Sequence, residues 1–278
     1  MYFRPRTLSE AVDVLGTHGG QILSGGTDFF PALGDRPIVG PVVDVSGVSE
    51  IKGIAITPDH VRIGGLTTWS EVVTTPLPRC FDALKSAARE IGGIQIQNRG
   101  TVAGNLCNAS PAADGVPPLL ALDAEIELHS SAGARRLPLA DFIVGNRRTL
   151  RRPDEILTGV IVPRRLDEAR STFLKLGARR YLVISIVMVA AVVKTDDSGH
   201  VAEARVAVGS CSATAQRLFA LERALVGAPA RTGLYANASP QHLSPLSPID
   251  DVRATASYRS DAALTLIQRA LDACVGNN

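Results

Sequence analysis

The sequence predicts an α+β protein, and three observations lead to that class. Short β-branched segments separated by glycine and proline alternate with helical patterns in the N-terminal part. Three longer strand-like runs follow one another after Ser171, and an amphipathic helix closes the chain. Runs of strands followed by helices are typical of α+β proteins. We therefore place a domain boundary near residue 170, which divides the chain into 1–170 and 171–278.

The N-terminal elements follow from local patterns. Leu8, Ala11 and Leu15 share one face of a helix, and Thr7 and Glu10 have the spacing of a capping box. Strands are predicted over QILSGG, IVGPVVDVSG, DHVRIGG and DEILTGVIVP, a helix over PLPRCFDALKSAAREIGG, and a helix followed by a strand over AADGVPPLLALDAEIELHS. A division into two subdomains is expected near residues 55–60.

The C-terminal part of the sequence shows longer strand patterns than the N-terminal part. Strands are predicted over STFLKLG, LVISIVMVAAVVKT and HVAEARVAVGS, and helices over TAQRLFALERALVG and SDAALTLIQRALDAC. The segment from Ala228 to Pro248 is rich in Pro, Ala and Ser and is predicted to be a loop or mobile connection. The stretch from Asp141 to Arg152 is polar and basic, and we expect it to be exposed.

Composition excludes several classes of function. The 278 residues are 45% hydrophobic and 20% charged, which is ordinary for a globular protein with a sizeable core. A net charge of +2 favours neither nucleic acid nor an anionic membrane as a partner. Aromatic residues make up only 4%, which disfavours base stacking. The most apolar run, from Tyr181 to Val193, is too short to span a bilayer, so a soluble cytoplasmic protein is expected.

The cysteines and histidines show no metal-ligand spacing. Four widely separated cysteines without a CxxC pair predict reduced thiols and no metal site on this chain. Cys107 is interpreted as a small buried residue in a tight loop, with a redox thiol as the alternative. The five histidines (His18, His60, His129, His200 and His242) are interpreted as surface or loop residues.

The first candidate site is the segment ILSGGTDFF. A strand ends, Gly25 and Gly26 follow, and Thr27 and Asp28 come next. Glycines allow positive φ and let backbone N–H groups approach a phosphate closely. The helical segment after the turn would direct its N-terminal dipole towards an anion. A plain turn is the alternative.

The second candidate site is the segment GTVAGNLCNASPAAD. Small residues at Ala103 and Gly104 leave room beside the backbone, and Asn105 and Ser110 offer short polar side chains. Asp114 lies further on and suits the hydroxyls of a ribose, although an N-cap or a solvated loop charge explains it equally well. Neither segment is a Rossmann or Walker motif. Two separate loops of this kind favour a dinucleotide over a mononucleotide.

Together these motifs resemble a known family. LSGGTDFFPAL followed by NRGTVAGNLCNASPAADGVPPLLALDAEIEL is similar to the flavoprotein subunit of the molybdenum hydroxylases, which include xanthine dehydrogenase and aerobic carbon monoxide dehydrogenase. The likeness extends to FLKLGARR, VAVGS and the closing helix. It implies an FAD-binding fold of the vanillyl-alcohol oxidase type in two subdomains, followed by a small α/β domain. Ala103 stands where many relatives have glycine, and Phe29–Phe30 replaces a commoner aliphatic pair.

The resemblance also implies the residues that bind FAD. The pyrophosphate would be held by Ile22, Leu23, Ser24, Gly25, Gly26, Thr27, Asp28 and Phe29, and a second phosphate loop would comprise Thr101, Ala103, Gly104 and Asn105. Asp114 would bind the ribose or adenine side, and Leu157 and Lys175 would lie near the flavin, with Ile91 as a further contact. Lys175 has an alternative as a solvent-facing lysine beside a strand. No histidine offers an anchor for covalent flavin, so the FAD is expected to be non-covalent.

The implied function is electron transfer, with no catalytic residue on this chain. A large partner would oxidise the substrate at molybdopterin, a small partner would carry two [2Fe-2S] clusters, and this chain would pass electrons from FAD to an external acceptor. A stand-alone FAD oxidase and a non-catalytic nucleotide-binding module are the alternatives. The basic segment from Gly145 to Glu155 is a candidate docking surface for the iron–sulfur partner, with a solvated loop as its alternative.

Overall fold

The computed structural model describes residues 1–276 and contains fourteen strands and ten α-helices in that range. The strands are β1 (Tyr2–Phe3), β2 (Gln21–Leu23), β3 (Val42–Asp44), β4 (Ile54–Ile56), β5 (His60–Gly64), β6 (Glu125–Ser130), β7 (Gly133–Pro138), β8 (Ile143–Gly145), β9 (Arg148–Thr149), β10 (Ile156–Pro163), β11 (Arg170–Leu176), β12 (Val187–Thr195), β13 (Val201–Gly209) and β14 (Gln216–Arg217). The helices are α1 (Leu8–His18), α2 (Phe29–Leu33), α3 (Trp69–Thr74), α4 (Asp82–Glu90), α5 (Ile94–Gln97), α6 (Val102–Asn108), α7 (Val116–Ala121), α8 (Leu139–Phe142), α9 (Phe219–Leu225) and α10 (Ala256–Val275).

A small parallel sheet in the order β1-β3-β2 opens the fold. Helix α1 begins as predicted, because the Thr7 hydroxyl accepts a hydrogen bond from the Glu10 amide at 3.2 Å. Glu10 itself accepts from the amide of Arg6. Strand β2 ends at Leu23, so the first glycine turn lies at the carboxyl end of a parallel strand, where open α/β sheets place ligands.

A five-stranded antiparallel sheet in the order β4-β5-β10-β6-β7 follows. Its central strand β10 is buried from Ile156 to Val162, including Thr158, whose hydroxyl donates to the Glu127 carboxylate at 3.0 Å. The main core of this part of the chain also contains Trp69, Phe81 and Leu106, each almost fully buried. The sheet and this core hold α6 in place, since α6 contacts both β5 and β10.

The C-terminal part is a four-stranded antiparallel sheet in the order β11-β12-β13-β14. Helix α10 packs on β11 and β12, and α9 packs on β13. Helices α4 and α7 also contact this sheet, although both come from the N-terminal part of the chain. The mixed helix and sheet content predicted from the sequence is therefore confirmed.

Several predicted boundaries are wrong, for local reasons. The strand expected from Leu182 begins only at Val187, because Leu182 has a φ of +51° and leaves the extended conformation. The helix expected over TAQRLFALERALVG begins only at Phe219, because Gln216 and Arg217 pair with β13 instead. The segment from Ala228 to Pro248 contains two short 3-10 helices.

Burial corrects two further predictions. The stretch from Asp141 to Arg152 is not exposed throughout, because Phe142 and Ile143 are buried against the core. His242 is buried as well, and its ring lies 3.2 Å from the amide nitrogen of Ser239, so it is not a surface histidine. The four cysteines are free, as the sequence predicted. Among residues 1–276, no helix is both long and apolar enough to cross a membrane.

Candidate functional site

A cavity of about 610 Å³ lies where the two glycine-containing segments meet the C-terminal sheet. Its volume is in the range of small-molecule and cofactor sites. Every predicted site residue except Leu23 lines it, namely Ile22, Ser24, Gly25, Gly26, Thr27, Asp28, Phe29, Thr101, Ala103, Gly104, Asn105, Asp114, Leu157 and Lys175. Leu23 is buried, and Ile91 lies on the cavity wall. The structure thus brings residues from distant parts of the chain to one site.

The first glycine turn presents backbone donors to this cavity. The amides of Gly25, Gly26, Thr27 and Asp28 donate to no backbone carbonyl in the described chain, 1–276. Gly26 has a φ of +76°, a conformation that glycine adopts at no steric cost. Unpaired amides on consecutive residues form a concave site for an anion. The turn therefore has the donor set that a phosphate group needs.

The two glycine-containing segments touch each other. A Cβ atom built on Gly25 would lie 2.0 Å from the carbonyl oxygen of Arg99, so only glycine allows this approach. The hydroxyl groups of Ser24 and Thr101 lie 3.2 Å apart. A Cβ on Gly104 would come within 2.9 Å of the Thr101 hydroxyl oxygen. The close contact positions the free amides of the first turn beside the N-terminus of α6.

The second segment offers side chains rather than backbone donors. Four successive amides are already engaged: Val102 donates to the Thr67 carbonyl, Ala103 to the Gly65 carbonyl, Gly104 to the Thr101 hydroxyl and Asn105 to the Thr101 carbonyl. The Asn105 side-chain oxygen is buried and has no hydrogen-bond partner in the described residues. Leaving such an acceptor unpaired costs about 1–3 kcal/mol, so a hydroxyl or N–H of a bound molecule would satisfy it.

Asp114 and Lys175 form a buried ion pair on the cavity wall. Lys175 Nζ lies 2.6 Å from one carboxylate oxygen of Asp114, and the hydroxyl of Ser185 donates to the other oxygen at 2.6 Å. Burial raises the pKa of Asp114, although Lys175 and Ser185 oppose this effect. The alternatives of a solvated charge at Asp114 and a solvent-facing Lys175 are therefore wrong.

Cys107 also lines the cavity, and its environment makes it unreactive. Burial raises the pKa of its thiol to about 11. The thiolate is the reactive form of cysteine, and almost none of it is present at neutral pH. This favours the packing role for Cys107 over the redox role, but Cys107 is half-buried within α6 and not buried in a tight loop as predicted.

Two arginines on the cavity wall were not recognised as site residues from the sequence. Arg147 and Arg151 line the cavity, although the sequence placed both in the candidate docking segment. Arg148, between them, is exposed and does not line the cavity. In the sequence, a run of arginines before a strand resembles a solvated surface loop. Only the three-dimensional path of the chain shows that Arg147 and Arg151 line the cavity and that Arg148 does not.

Glu155 fixes the shape of this arginine segment. Its carboxylate is 3% exposed and accepts hydrogen bonds from Arg135 Nε at 2.5 Å, Arg135 Nη2 at 2.9 Å and the Arg152 amide at 2.7 Å. Burial raises the pKa of Glu155, but the bonds from Arg135 and Arg152 outweigh burial and hold it below its ordinary value. The ionised carboxylate therefore stabilises the folded segment.

A pH-dependent prediction follows for Glu155. Because its pKa is lowered on folding, its contribution is complete above the ordinary value of 4.5 and is lost as the pH falls through the folded-state value. We expect Glu155→Gln to lower the free energy of unfolding by about 1–3 kcal/mol at pH 7 and by less near pH 3. Chemical denaturation of both proteins between pH 3 and 7 measures this, and a deficit that is equal at both ends would contradict it.

Gly26 supports a second prediction. We expect Gly26→Val to weaken FAD binding severely, because a β-branched residue is strained at a φ of +76°. Its Cβ would also lie 2.9 Å from the Phe30 ring. Flavin content and circular dichroism of the purified variant measure the effect. A folded variant with unchanged flavin content would remove this turn from the site.

Both parts of the chain match known families. Residues 1–165 match the FAD binding domain in molybdopterin dehydrogenase, and residues 172–274 match the CO dehydrogenase flavoprotein C-terminal domain. The nicotinate dehydrogenase FAD-subunit of Eubacterium barkeri is 36% identical over 238 residues, which are 82% of this chain and 80% of the relative. The xanthine dehydrogenase FAD-binding subunit of Escherichia coli O157:H7 is 30% identical over 281 residues, 99% and 95% of the two chains.

Solved structures agree with these matches. The chain superposes on quinoline 2-oxidoreductase from Pseudomonas putida 86 with a TM-score of 0.90 at 26% identity, covering 99% of this chain and 96% of the other. It superposes on carbon monoxide dehydrogenase from Hydrogenophaga pseudoflava with a TM-score of 0.88 at 26% identity, covering 98% and 96%. These matches confirm the resemblance of the glycine-containing motifs. The chain belongs to the family of FAD-binding oxidoreductase subunits of the molybdopterin dehydrogenases.

Proposed function

We propose that this chain is the electron-transfer subunit of a molybdenum hydroxylase and carries FAD in the cavity described above. Electrons would arrive from the [2Fe-2S] clusters of a small partner and leave to an external acceptor, while a large partner oxidises the substrate at molybdopterin. One observation carries the proposal. The same cavity is lined by the free amides of residues 25–28 and by the side-chain oxygen of Asn105, which has no hydrogen-bond partner in the described residues.

The residues present fit FAD on chemical grounds. The amides of the first turn would hold the pyrophosphate, because they are unpaired donors on consecutive residues. The Asn105 oxygen would accept from a hydroxyl of the cofactor, and Asp114 keeps carboxylate lone pairs free for a ribose hydroxyl. Leu157 and Ile91 provide apolar wall. When bound, FAD supplies reversible one- and two-electron chemistry, and the protein supplies its binding and electrostatics.

The thiols of this chain support placing the iron–sulfur clusters on a partner. All four cysteines are free, and Cys80, Cys211 and Cys274 are buried in the apolar interior. Iron–sulfur clusters are held by thiolates, and usually by four of them. Among residues 1–276, no group of three or more His, Cys, Asp or Glu side chains could hold a metal ion.

The finer points stay predictions. These are the vanillyl-alcohol oxidase type of the fold, the domains 1–170 and 171–278 with a subdomain division near 55–60, the cytoplasmic location and the residue-level contacts to FAD. Docking of the iron–sulfur partner on the segment from Gly145 to Glu155 also stays a prediction. Because Arg147 lines the cavity, Arg148 is the better residue with which to test docking separately from flavin binding.

Flavin content provides the direct test. We expect the purified chain to be yellow, and acid or heat to release its FAD into the supernatant, since the binding is non-covalent. Flavin that stays with the precipitated polypeptide would contradict the non-covalent part, and a folded chain that binds no flavin would contradict the proposal.

Reconstitution with the partner chains separates the three candidate functions. We expect the chain alone not to oxidise the organic substrate, and its flavin absorbance to bleach on substrate addition only when both partners are present. Full activity of the chain alone would indicate a stand-alone oxidase. A bound nucleotide that cannot be reduced would indicate a non-catalytic module.

A further inference from the structure

Arg147 and Arg151 extend the cavity with two guanidinium groups that the motifs do not account for. Both lie in the segment between β8 and β10 and line the same cavity as the first glycine turn. Their hydrogen bonds go to neutral oxygens, and within the described range 1–276 neither pairs with a carboxylate. Arg147 is exposed and Arg151 is half-buried, so both guanidinium groups are accessible to an anionic ligand that enters the cavity.

Both guanidinium groups are held in place by the protein. Arg147 Nη1 donates to Asn108 Oδ1 at 2.9 Å, and the Arg147 amide donates to the Ala109 carbonyl at 2.9 Å. Arg147 also has a φ of +54°, a conformation that is uncommon for a residue with a long side chain. These bonds fix Arg147 beside the C-terminal end of α6 and leave its Nη2 and Nε atoms free to donate.

Arg151 is positioned in the same manner by backbone carbonyls. Its Nη1 atom donates to the carbonyls of Glu155 at 2.7 Å and Arg152 at 2.9 Å. Glu155 is in turn held by Arg135, so the carbonyl that orients Arg151 belongs to a rigid segment. The Nη2 and Nε atoms of Arg151 make no hydrogen bond to the described residues, which leaves a planar pair of donors for a ligand.

The charge balance of the cavity favours an anion. Five charged side chains line it, namely Asp28, Asp114, Arg147, Arg151 and Lys175. Asp114 and Lys175 compensate each other at 2.6 Å, so two arginines remain against one carboxylate. Guanidinium groups match the geometry of phosphate oxygens, and the free amides of the glycine turn add further donors.

We infer that Arg147 and Arg151 bind a phosphate group of a nucleotide in this cavity. The inference rests on the proposed flavin-carrying role of the same cavity. The phosphate has two possible sources, the pyrophosphate of FAD itself and a second nucleotide that binds beside the flavin. In either case the two arginines make the cavity selective for phosphorylated ligands. The glycine-containing motifs do not include these two residues.

The test compares phosphorylated and unphosphorylated flavin. Arg147→Met and Arg151→Met keep an unbranched side chain and remove the charge, and Arg148→Met is the matched control because Arg148 is exposed and outside the cavity. The full-length apo chain is titrated with FAD and with riboflavin by flavin fluorescence. The FAD-loaded chain is titrated separately with ADP by calorimetry.

We expect Arg147→Met and Arg151→Met each to bind FAD about tenfold or more weakly, because each loses one charge-assisted hydrogen bond. Their affinity for riboflavin should not change, and Arg148→Met should bind FAD as the wild type does. A loss confined to ADP binding by the FAD-loaded chain would assign the arginines to a second nucleotide. Unchanged affinities for both FAD and ADP in both variants would overturn the inference. A wild-type chain that binds no flavin would instead contradict the proposed function.

Discussion

Replacing Gly25 by alanine is expected to weaken FAD binding and to destabilise the fold. The new Cβ would lie 2.0 Å from the carbonyl oxygen and 2.7 Å from the carbonyl carbon of Arg99. Contacts of Cβ below 3.0 Å are essentially never seen, so one of the two backbone segments must move by about 1 Å. A backbone carbonyl cannot rotate away as a side chain does, and overpacking of this kind costs about 1–3 kcal/mol.

The loss should appear in binding because the displaced turn carries the donors. The amides of Gly25, Gly26, Thr27 and Asp28 are aligned by the contact with Arg99 and Gly100. If the turn relieves the steric clash by moving, these amides lose their alignment, and FAD affinity falls by about five- to hundredfold. Flavin titration of the apo chain and thermal unfolding of the same sample measure the two effects separately.

Gly16 provides the control for this substitution. It lies inside α1, where a Cβ would meet only the Ser131 hydroxyl at 3.9 Å. Alanine is favoured over glycine in a helix interior by about 1 kcal/mol. Gly16→Ala should therefore leave FAD binding unchanged and raise stability slightly. If Gly25→Ala behaves like Gly16→Ala, the close approach of the two segments has no part in binding.

The sequence was sufficient to predict those elements that are determined by residues close together in the chain. The capping residue Thr7 and the apolar face of α1 are encoded within a few positions, and the structure has that helix as predicted. The glycine pair at Gly25–Gly26 identifies a tight turn because its conformational requirement belongs to those residues alone. The α+β class follows in the same way, from the spacing of strand and helix patterns along the chain.

Contacts between distant residues could not be predicted from the sequence. Asp114 and Lys175 are 61 positions apart, and spacing alone left a solvated charge as an alternative for each of them. Their burial depends on α4 and α7 packing against the C-terminal sheet, which no local pattern reports. Arg147 and Arg148 are adjacent, chemically identical and both exposed, yet only Arg147 lines the cavity, and no local pattern distinguishes the two.

Removal of Asp114 has the second large expected effect. Asp114→Ala leaves the Lys175 ammonium buried with one remaining partner, the Glu90 carbonyl at 3.3 Å. Breaking a buried pair from one side costs about 3–5 kcal/mol, so the apo chain should unfold at a lower denaturant concentration. Asp114→Asn retains an oxygen acceptor and should lose less. A fully stable Asp114→Ala apo chain that binds FAD weakly would instead assign Asp114 to ligand binding alone.

Lys175→Met should behave differently, because Asp114 can take up a proton when its partner is removed. Burial already raises the pKa of Asp114, and without the opposing lysine the pKa stands still higher. An acid whose pKa is raised on folding binds its proton more tightly when folded, so stability falls as the pH rises from the ordinary value towards the folded-state value. The free energy of unfolding of Lys175→Met should therefore fall further below that of the wild type as the pH rises from 4.5 to 7.5, by at most about 1.4 kcal/mol per pH unit. Chemical denaturation at each pH measures this difference. The double variant Asp114→Asn/Lys175→Met has no carboxyl group at position 114 to titrate, so its loss of unfolding free energy should not grow with pH. If the loss in Lys175→Met is independent of pH, Asp114 is not buried without a compensating charge in that variant.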